Sequence, residues 1–452
     1  MDKQVFEKYS AYIDKYSELC LETFEYILHN PELGFKEFKT GDRLEREFEK
    51  LGYTLEKAGD IPGFCAVVDT GRPGPRVLVF GELDAVVCKE NPLSDPETGA
   101  VHACGHCCQT SALLGIAAAL KEDGALDGLS GSIKLCAVPA EELLDVSYRE
   151  ALREKGVIRY FGGKKEFMRR GFFDDCDLAF MIHTTSAEPF RIKTQLGANG
   201  NLIKTVTITG KAAHAGGSPH LGRNALYAAT NALNAINALR ERHIDGEYAR
   251  VHGIITEGGQ MVNAIPSEVK LDIKIRARTD EAISKLNNEV NLAFAACAAA
   301  MGCSCNISDR PGYSPVNNDE NMLEAFEEIM PLCTDEDKCE KTRKIVGSCS
   351  DIGDIMSVMP AIHPYVSGAV GKGHGADYAI TSPESAVLFS AKVQLVFLRA
   401  LLENGAEKAR RIVERADPPF KSIKEYLDYV DTLFKDKDTV VYEDDGRITL
   451  SV

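Results

Sequence analysis

The chain has 452 residues, 44% of them hydrophobic and 27% charged, which is enough for two domains with separate cores. Its formal charge of -16 argues against nucleic acid or an anionic membrane surface as partner, because both require a basic footprint. Fourteen cysteines are scattered without a basic-then-apolar leader at Met1-Asp2-Lys3-Gln4-Val5-Phe6, and no apolar run reads as long enough to span a bilayer. These features predict a reduced, cytoplasmic protein in which most cysteines are small core residues and one or two are ligands.

Helical periodicity opens the chain: Phe6, Tyr9, Ile13, Tyr16, Leu19, Cys20, Phe24, Ile27 and Leu28 recur at three- and four-residue steps. His29-Asn30-Pro31-Glu32-Leu33-Gly34 breaks the run, and Thr40-Gly41-Asp42 precedes a second helix ending near Gly52. Cys65 to Val68 and Arg76 to Phe80 read as strands, the second apolar enough for the interior of a mixed or parallel sheet. That strand delivers Gly81-Glu82-Leu83-Asp84-Ala85 at its C-terminal end, the edge where open α/β sheets form sites. Asp84 is a site candidate on that ground, and a turn-capping aspartate is the plainer alternative.

Val101 to Cys108 packs two histidines and three cysteines into eight residues ahead of a helix-like run, Ser111 to Leu120. Gly105 lets the backbone turn so that the Cys104 thiolate and the His106 imidazole can converge, a pairing that suits zinc or a similar metal. A buried structural thiol beside a capping histidine would leave the same triplet. Ser132 to Val138 is the next strand and runs into Pro139-Ala140-Glu141-Glu142. Adjacent side chains there point different ways, so one carboxylate can bind a metal while the other faces a substrate. Asp177 to Ile182 reads as a strand ending at His183. Metal-type residues at consecutive strand ends are harder to dismiss than any one alone.

From about Gly197 the texture changes. Leu202 to Thr209 alternates like a half-exposed strand, Gly210 to Gly217 is a turn carrying His214, and Asn224 to Leu239 is an Ala/Leu-rich helix. Strands at Arg250–Ile255 and Glu268–Arg276, a helix from Asp280 to Met301 and a last strand near Cys303–Ile307 complete the order β-α-β-β-α-β of a ferredoxin-like α+β unit. The α/β texture resumes at Asn321 to Leu332, so this unit reads as an insertion. Gly371-Lys372-Gly373-His374-Gly375 is a loop whose glycines allow close approach, ahead of a helix through Leu401. The charged tail after Arg410 carries a helix-like Ser422–Phe434 and a strand-like Thr439–Tyr442, with no function readable from it.

Six blocks in order carry a resemblance: Gly81–Ala85, His102–His106, Pro139–Glu142, Gly210–Ala215, Val262–Pro266 and Ile362–Pro364. They resemble the co-catalytic metallopeptidase family of aminoacylase, carboxypeptidase G and the indole-acetyl-amino-acid hydrolases, and most of all its aminobenzoyl-glutamate hydrolase-like branch. The match runs from Asn30 to Tyr378. It implies an α/β catalytic domain, a mixed sheet flanked by helices, in two parts (1–196 and 313–409). A ferredoxin-like α+β lid and dimerisation domain (197–312) is inserted between them, and a C-terminal extension (410–452) follows.

The resemblance also implies roles. Cys104, His106, Glu142, His183 and His374 match the ligands of two divalent ions, zinc or manganese with cobalt as an option. Glu141 matches the general base, and Asp84 the carboxylate that orients a ligand. His214 matches the histidine that polarises the scissile carbonyl, commonly across a homodimer, and Asn263 and Arg276 match substrate-holding positions. The implied activity is hydrolysis of the amide of an N-acyl or N-aroyl amino acid, a small-molecule substrate. A dipeptidase of the same fold is the runner-up, and a silent ligand-binding pseudoenzyme the third reading. The chain departs from its relatives at Cys107-Cys108, where Asp or Asn is usual, and at Glu82, where other branches carry a ligand histidine. Packing is the expectation for Cys107, and His102, His220, His252 and His363 are expected to be structural.

Overall fold

A computed structural model describes residues 3–452 and divides into two compact units. The first runs to Gly197 and takes in Val316–Ile345 and Ser350–Ile423; the second comprises Ala198–Pro315, Val346–Cys349 and Lys424–Val452. The tail is therefore not a separate extension beginning at 410. Ser390–Arg415 is two helices joined where Glu403–Ala406 leave the helical conformation; the second passes through residue 410 in the first unit, and the residues from Lys424 onward join the second unit.

The first unit is built on a six-stranded mixed sheet in the order Leu55–Lys57, Phe64–Asp69, Ser132–Val138, Arg76–Glu82, Leu178–Phe180, Ala361–Ile362. Arg76–Glu82 pairs in parallel on both sides, with Val79 opposite Leu135 and Phe180, while Phe64–Asp69 is antiparallel to Ser132–Val138. Every residue of Ser132–Val138 is buried, as expected of a strand covered on both faces. Its one lysine, Lys134, is accommodated by donating to the Phe172 carbonyl at 2.8 Å and pairing with Asp175.

Against the sheet lies the helix His106–Ala119, all of whose residues are buried. It is buried around its whole circumference, its polar residues His106, Gln109, Thr110 and Ser111 lying in the first two turns, as fits a helix inside a layered α/β core. Leu113, Leu114 and Ile116 share one core with Phe24, Phe48 and Phe64, and each such fully buried side chain contributes about 1.5–3 kcal/mol.

Three elements differ from expectation. The opening periodic run is two helices, Lys3–Asp14 and Ser17–Leu28, interrupted at Lys15 and Tyr16. The next helix, Phe38–Lys50, begins before Thr40 because the Glu32 carboxylate accepts from Lys39 N–H at 3.2 Å and Thr40 N–H at 2.9 Å, capping its first turn. Glu384–Arg415 is long and apolar enough to cross a bilayer by length and composition, contrary to the sequence reading. It is instead core, with Leu395, Val396, Phe397, Leu398 and Leu401 buried, and its helical backbone is broken at Glu403–Ala406.

The second unit is a five-stranded antiparallel sheet in the order Arg250–Glu257, Glu268–Ala277, Gly200–Thr209, Ser304–Pro311, Lys435–Asp438. With helices Ala225–Ala238 and Asp280–Ala300 it has the β-α-β-β-α-β order. Asn224 and Thr279 cap those helices, accepting from Tyr227 N–H and Ala282 N–H at 3.1 Å each. The tail supplies the fifth strand, in which Lys435, Asp436, Lys437 and Asp438 are all exposed, and a hairpin of Val440–Tyr442 with Ile448–Leu450.

Candidate metal centre

Two neighbouring strand ends, two loops and the start of a further strand build the centre in the first unit. After Arg76–Glu82 the chain stays tied to its neighbour, Leu83 N–H donating to the Val138 carbonyl at 3.0 Å, and then presents Asp84. After Ser132–Val138, Ala140 takes a left-handed φ of 56° and its N–H donates to Glu37 at 2.7 Å, which turns Glu141 and Glu142 into the site. Gly105 sits at φ 90°, where a Cβ would meet the Tyr378 hydroxyl at 2.7 Å and Thr184 Cβ at 3.0 Å. Only glycine fits between Cys104 and His106. His183 does not end the Leu178–Phe180 strand. It opens a further strand, His183–Ser186, that pairs with Tyr365–Val370 in a different sheet. The His374 loop is pinned by its N–H to the Ala103 carbonyl at 2.8 Å.

All five expected ligands and Glu141 come together. Donor atoms of Cys104, His106 and His183 lie within 4.8 Å of one another, as do those of Cys104, Glu142 and His374, and those of His106, Glu141 and Glu142. Cys104, His106 and Glu142 each belong to two of these groups, so the groups are contiguous and could hold two adjacent ions.

The hydrogen bonds behind the ligands fix their tautomers. His106 Nδ1 lies 3.0 Å from the Asp84 carbonyl and 3.1 Å from its Oδ1. Both are acceptors, so Nδ1 carries a proton and Nε2 is the nitrogen left to face the centre. His183 Nδ1 is set the same way by the Thr184 carbonyl at 2.7 Å. Asp84 Oδ2 accepts from Glu142 N–H at 2.8 Å, so a single buried carboxylate orients two ligands, as metal sites generally need. His106 Nε2 is buried and makes no hydrogen bond; the Glu82 carboxylate lies 3.2 Å from it, and a cation beside the two would satisfy both. A thiolate, three imidazoles and carboxylates suit zinc or a similar divalent ion. The residues fit the group.

Charge is distributed accordingly. Burial alone would raise the Cys104 thiol, but His106 and then His183 outweigh it and bring the thiol down to about 6, which favours the thiolate, the form that can bind a metal. Burial likewise opposes ionisation of Glu142, and its hydrogen bond with His374, 2.8 Å from Nε2, carries it down to about 2. Glu141 goes the other way: burial first, then the neighbouring Glu142, Glu82 and Asp351, hold its carboxyl well above the usual range. A carboxylate whose proton affinity is raised toward neutrality is suited to moving a proton.

Sequence reasoning missed Lys164, Asp351 and Gln109. Lys164 is wholly buried, with its ammonium between Glu82 and Asp351, and Gln109 Nε2 donates to Glu82 Oε2 at 3.0 Å. The available signal was Gly162-Gly163, since a Cβ at Gly163 would lie 1.6 Å from the Pro139 carbonyl, a mark of chain packed against the Glu141 turn. Cys107 is fully buried in the His106–Ala119 helix. His102 is buried with neither ring nitrogen bonded, and burial lowers it to about 3, so it is a neutral core histidine.

His214, Asn263 and Arg276 belong to the second unit. His214 is exposed, and its Nδ1 accepts from Gly217 N–H at 2.8 Å and Gly216 N–H at 3.2 Å. The proton is thereby placed on Nε2, an outward donor. Asn263 lies beside it, its carbonyl accepting from Ala215 N–H at 2.9 Å. Arg276 is at the far end of the strand that begins at Glu268, paired with Asn201. At about 3.4 Å per residue it is separated from the His214 end by roughly 27 Å.

The fold and the site define a class of protein: a metal-centred hydrolase of amide bonds with an α/β catalytic unit and an inserted α+β unit. Residues 196–299 match the peptidase dimerisation domain of the M20 family. The chain is 30% identical over 362 residues to the Xaa-Arg dipeptidase of Mus musculus, covering 78% of this chain and 77% of that one. It is 32% identical over 263 residues to one of the p-aminobenzoyl-glutamate hydrolase polypeptides of Escherichia coli, covering 56% of this chain and 49% of that one. Its fold is that of a Bacillus subtilis crystal structure described as a dinuclear metal binding peptidase from the M20 family. The TM-score is 0.63 at 17% identity, over 86% of this chain and 99% of that one. The chain belongs to the M20 peptidase family.

Proposed function

We propose that this chain hydrolyses the amide bond of an N-acyl or N-aroyl amino acid and works as a homodimer. The observation that carries the reading is Glu141, a buried carboxyl of raised proton affinity set among the convergent donor atoms of His106 and Glu142. Two divalent ions held by Cys104, His106, Glu142, His183 and His374, zinc or manganese, supply Lewis acidity and bring a water's pKa to about 7. Glu141 takes the proton released as the water oxygen bonds to the carbonyl carbon. It returns that proton to the leaving nitrogen as the C–N bond breaks. The Nε2–H of His214 donates to the carbonyl oxygen as it gains charge, and Arg276 is suited to the substrate carboxylate.

The separation of His214 and Asn263 from Arg276 within one inserted unit supports the dimer. No small substrate spans roughly 27 Å, so both ends act together only if a second copy brings the other end. The Arg250–Glu257 edge strand is unpaired on its outer side, with Ile254 and Ile255 exposed, and the loop after it carries Met261 and Val262, the latter 99% exposed.

Glu141→Gln keeps the ligands intact and is expected to lower kcat by about 10²–10⁴ with metal content unchanged. Activity at the wild-type level would remove Glu141 from its role. The dipeptidase reading draws on the 30% identical Xaa-Arg dipeptidase. A panel of N-benzoyl amino acids, aminobenzoyl-glutamate and free-amine dipeptides, run on chelated protein restored with zinc, manganese or cobalt, separates the two. Turnover confined to dipeptides decides for the dipeptidase. Mixing Glu141→Gln with His214→Ala protein tests the dimer: activity is expected to return, because one site in each mixed dimer then has both groups. No recovery would mean that His214 serves its own chain.

A further inference from the structure

The acidic side of the metal centre holds more negative charge than ligation requires. Glu82, Glu141 and Asp351 are all buried, with carboxylate oxygens within 4.8 Å of one another. Three carboxylates so placed, out of water, form a cation site by themselves. Here the cation is part of the chain. Lys164 is 0% exposed and its ammonium contacts both Glu82 and Asp351. The backbone holds it there: Asp351 Oδ2 accepts from Lys164 N–H at 3.2 Å, and Gly163 N–H donates to the Ala140 carbonyl at 3.1 Å.

Glu82 is the pivot. One oxygen binds Lys164; the other accepts from Gln109 Nε2 at 3.0 Å and lies 3.2 Å from His106 Nε2, the nitrogen that faces the metal centre. Without Lys164 this carboxylate would be free to turn toward any ion bound by His106, since carboxylate is a competent zinc ligand. With Lys164 in place, one oxygen is held by an ammonium, and the other, which lies beside His106, is engaged by an amide.

We propose that Lys164 is a positioning residue for the metal centre: its tethered ammonium takes the cation's place among Glu82, Glu141 and Asp351 and keeps Glu82 out of the coordination sphere of the ion at His106. The chain thus tolerates an acid at position 82 because it carries its own counter-ion at position 164. This inference rests on the metal centre proposed above and adds to it which carboxylate is not a ligand and why.

The test is the visible absorption and metal content of full-length protein reconstituted with Co(II), whose bands report the number and type of ligands. Lys164→Met is expected to weaken and shift the bands, because the freed Glu82 adds a carboxylate oxygen to the ion. Glu82→Gln is expected to keep the wild-type spectrum and cobalt content, and Lys164→Met/Glu82→Gln to restore them. Loss of cobalt or a changed spectrum in Glu82→Gln would show Glu82 to be a ligand and overturn the proposal. So would an unaltered spectrum in Lys164→Met, or a double variant that stays as shifted as the single one. Should Lys164→Met fail to fold, Glu82→Gln and the double variant, in which Glu82 no longer carries a charge, still decide. Wild-type protein that took up no cobalt would fail the metal-centre reading itself, a result distinct from all of these.

Discussion

Lys164 in the catalytic unit and Lys204 in the inserted unit are both fully buried and both direct an ammonium at aspartate, yet their environments act on them in opposite directions. Burial disfavours the charge on each. Around Lys164 the attraction of Asp351, then Glu82 and Glu141, outweighs burial and holds its pKa above the usual lysine range. Lys204 has one carboxylate, Asp309, its cross-strand partner, which already accepts from Asn287 at 2.7 Å. Burial prevails there and lowers Lys204 to about 8. The number of carboxylates per buried ammonium decides the sign, and the surplus of acid lies where a metal centre needs it. In the inserted unit a buried pair contributes to one domain's packing; in the catalytic unit it is joined to the groups that do chemistry.

Breaking each pair separates the two cases. Lys164→Met leaves Glu82 and Asp351 unpaired out of water and is expected to destabilise the catalytic unit by about 3–5 kcal/mol, read by denaturant unfolding. Asp309→Ala is expected to fall below that range, because Lys204 can release its proton near neutral pH, and to leave metal content unchanged. Equal losses, or metal lost from Asp309→Ala, would end the distinction. Chelation should act on the catalytic unit alone, removing about 2.7 kcal/mol of stability where free metal stood at a hundred times its Kd. Hydrogen exchange that slackened equally in the inserted unit would contradict this.

The effect that is smallest over one pH unit concerns the pH dependence of stability. Lys204 binds its proton less tightly folded than unfolded, so between pH 8 and 10.5 the unfolded chain holds more protons and stability rises with pH. The rise is up to about 1.4 kcal/mol per pH unit and should vanish in Lys204→Met. A falling or flat profile in the wild-type inserted unit would refute the assignment.

Much of this organisation is legible in the residues. The sheet strands can be read because runs such as Ser132–Val138 are apolar throughout, and the inserted unit because its strands alternate about a buried face. The convergent candidate ligands are legible from short motifs near such strands. Lys164 is not, because its partners Glu82 and Asp351 are distant in sequence and nothing local distinguishes a buried lysine from a solvated one. The Lys435–Asp438 strand is invisible for another reason: all four side chains are exposed, so it has no apolar alternation, and only backbone pairing with Asn306–Asp309 makes it a strand. His183 reads as a strand end because its own short strand follows after only Met181 and Ile182.

The hydrogen bond from His374 N–H to the Ala103 carbonyl joins two distant stretches of chain, and the inserted unit is made between them. During synthesis a chain that has emerged as far as His183 already carries Cys104, His106, Glu142 and His183, but the fifth proposed ligand, His374, is not yet made. On the proposed ligand set, an ion captured then would be held incompletely and could leave. Closing a loop of that length comes late in folding, after the local helices and strand pairs have formed. Tight metal retention therefore marks the moment at which the polypeptide has been made as far as His374 and its distant stretches have met.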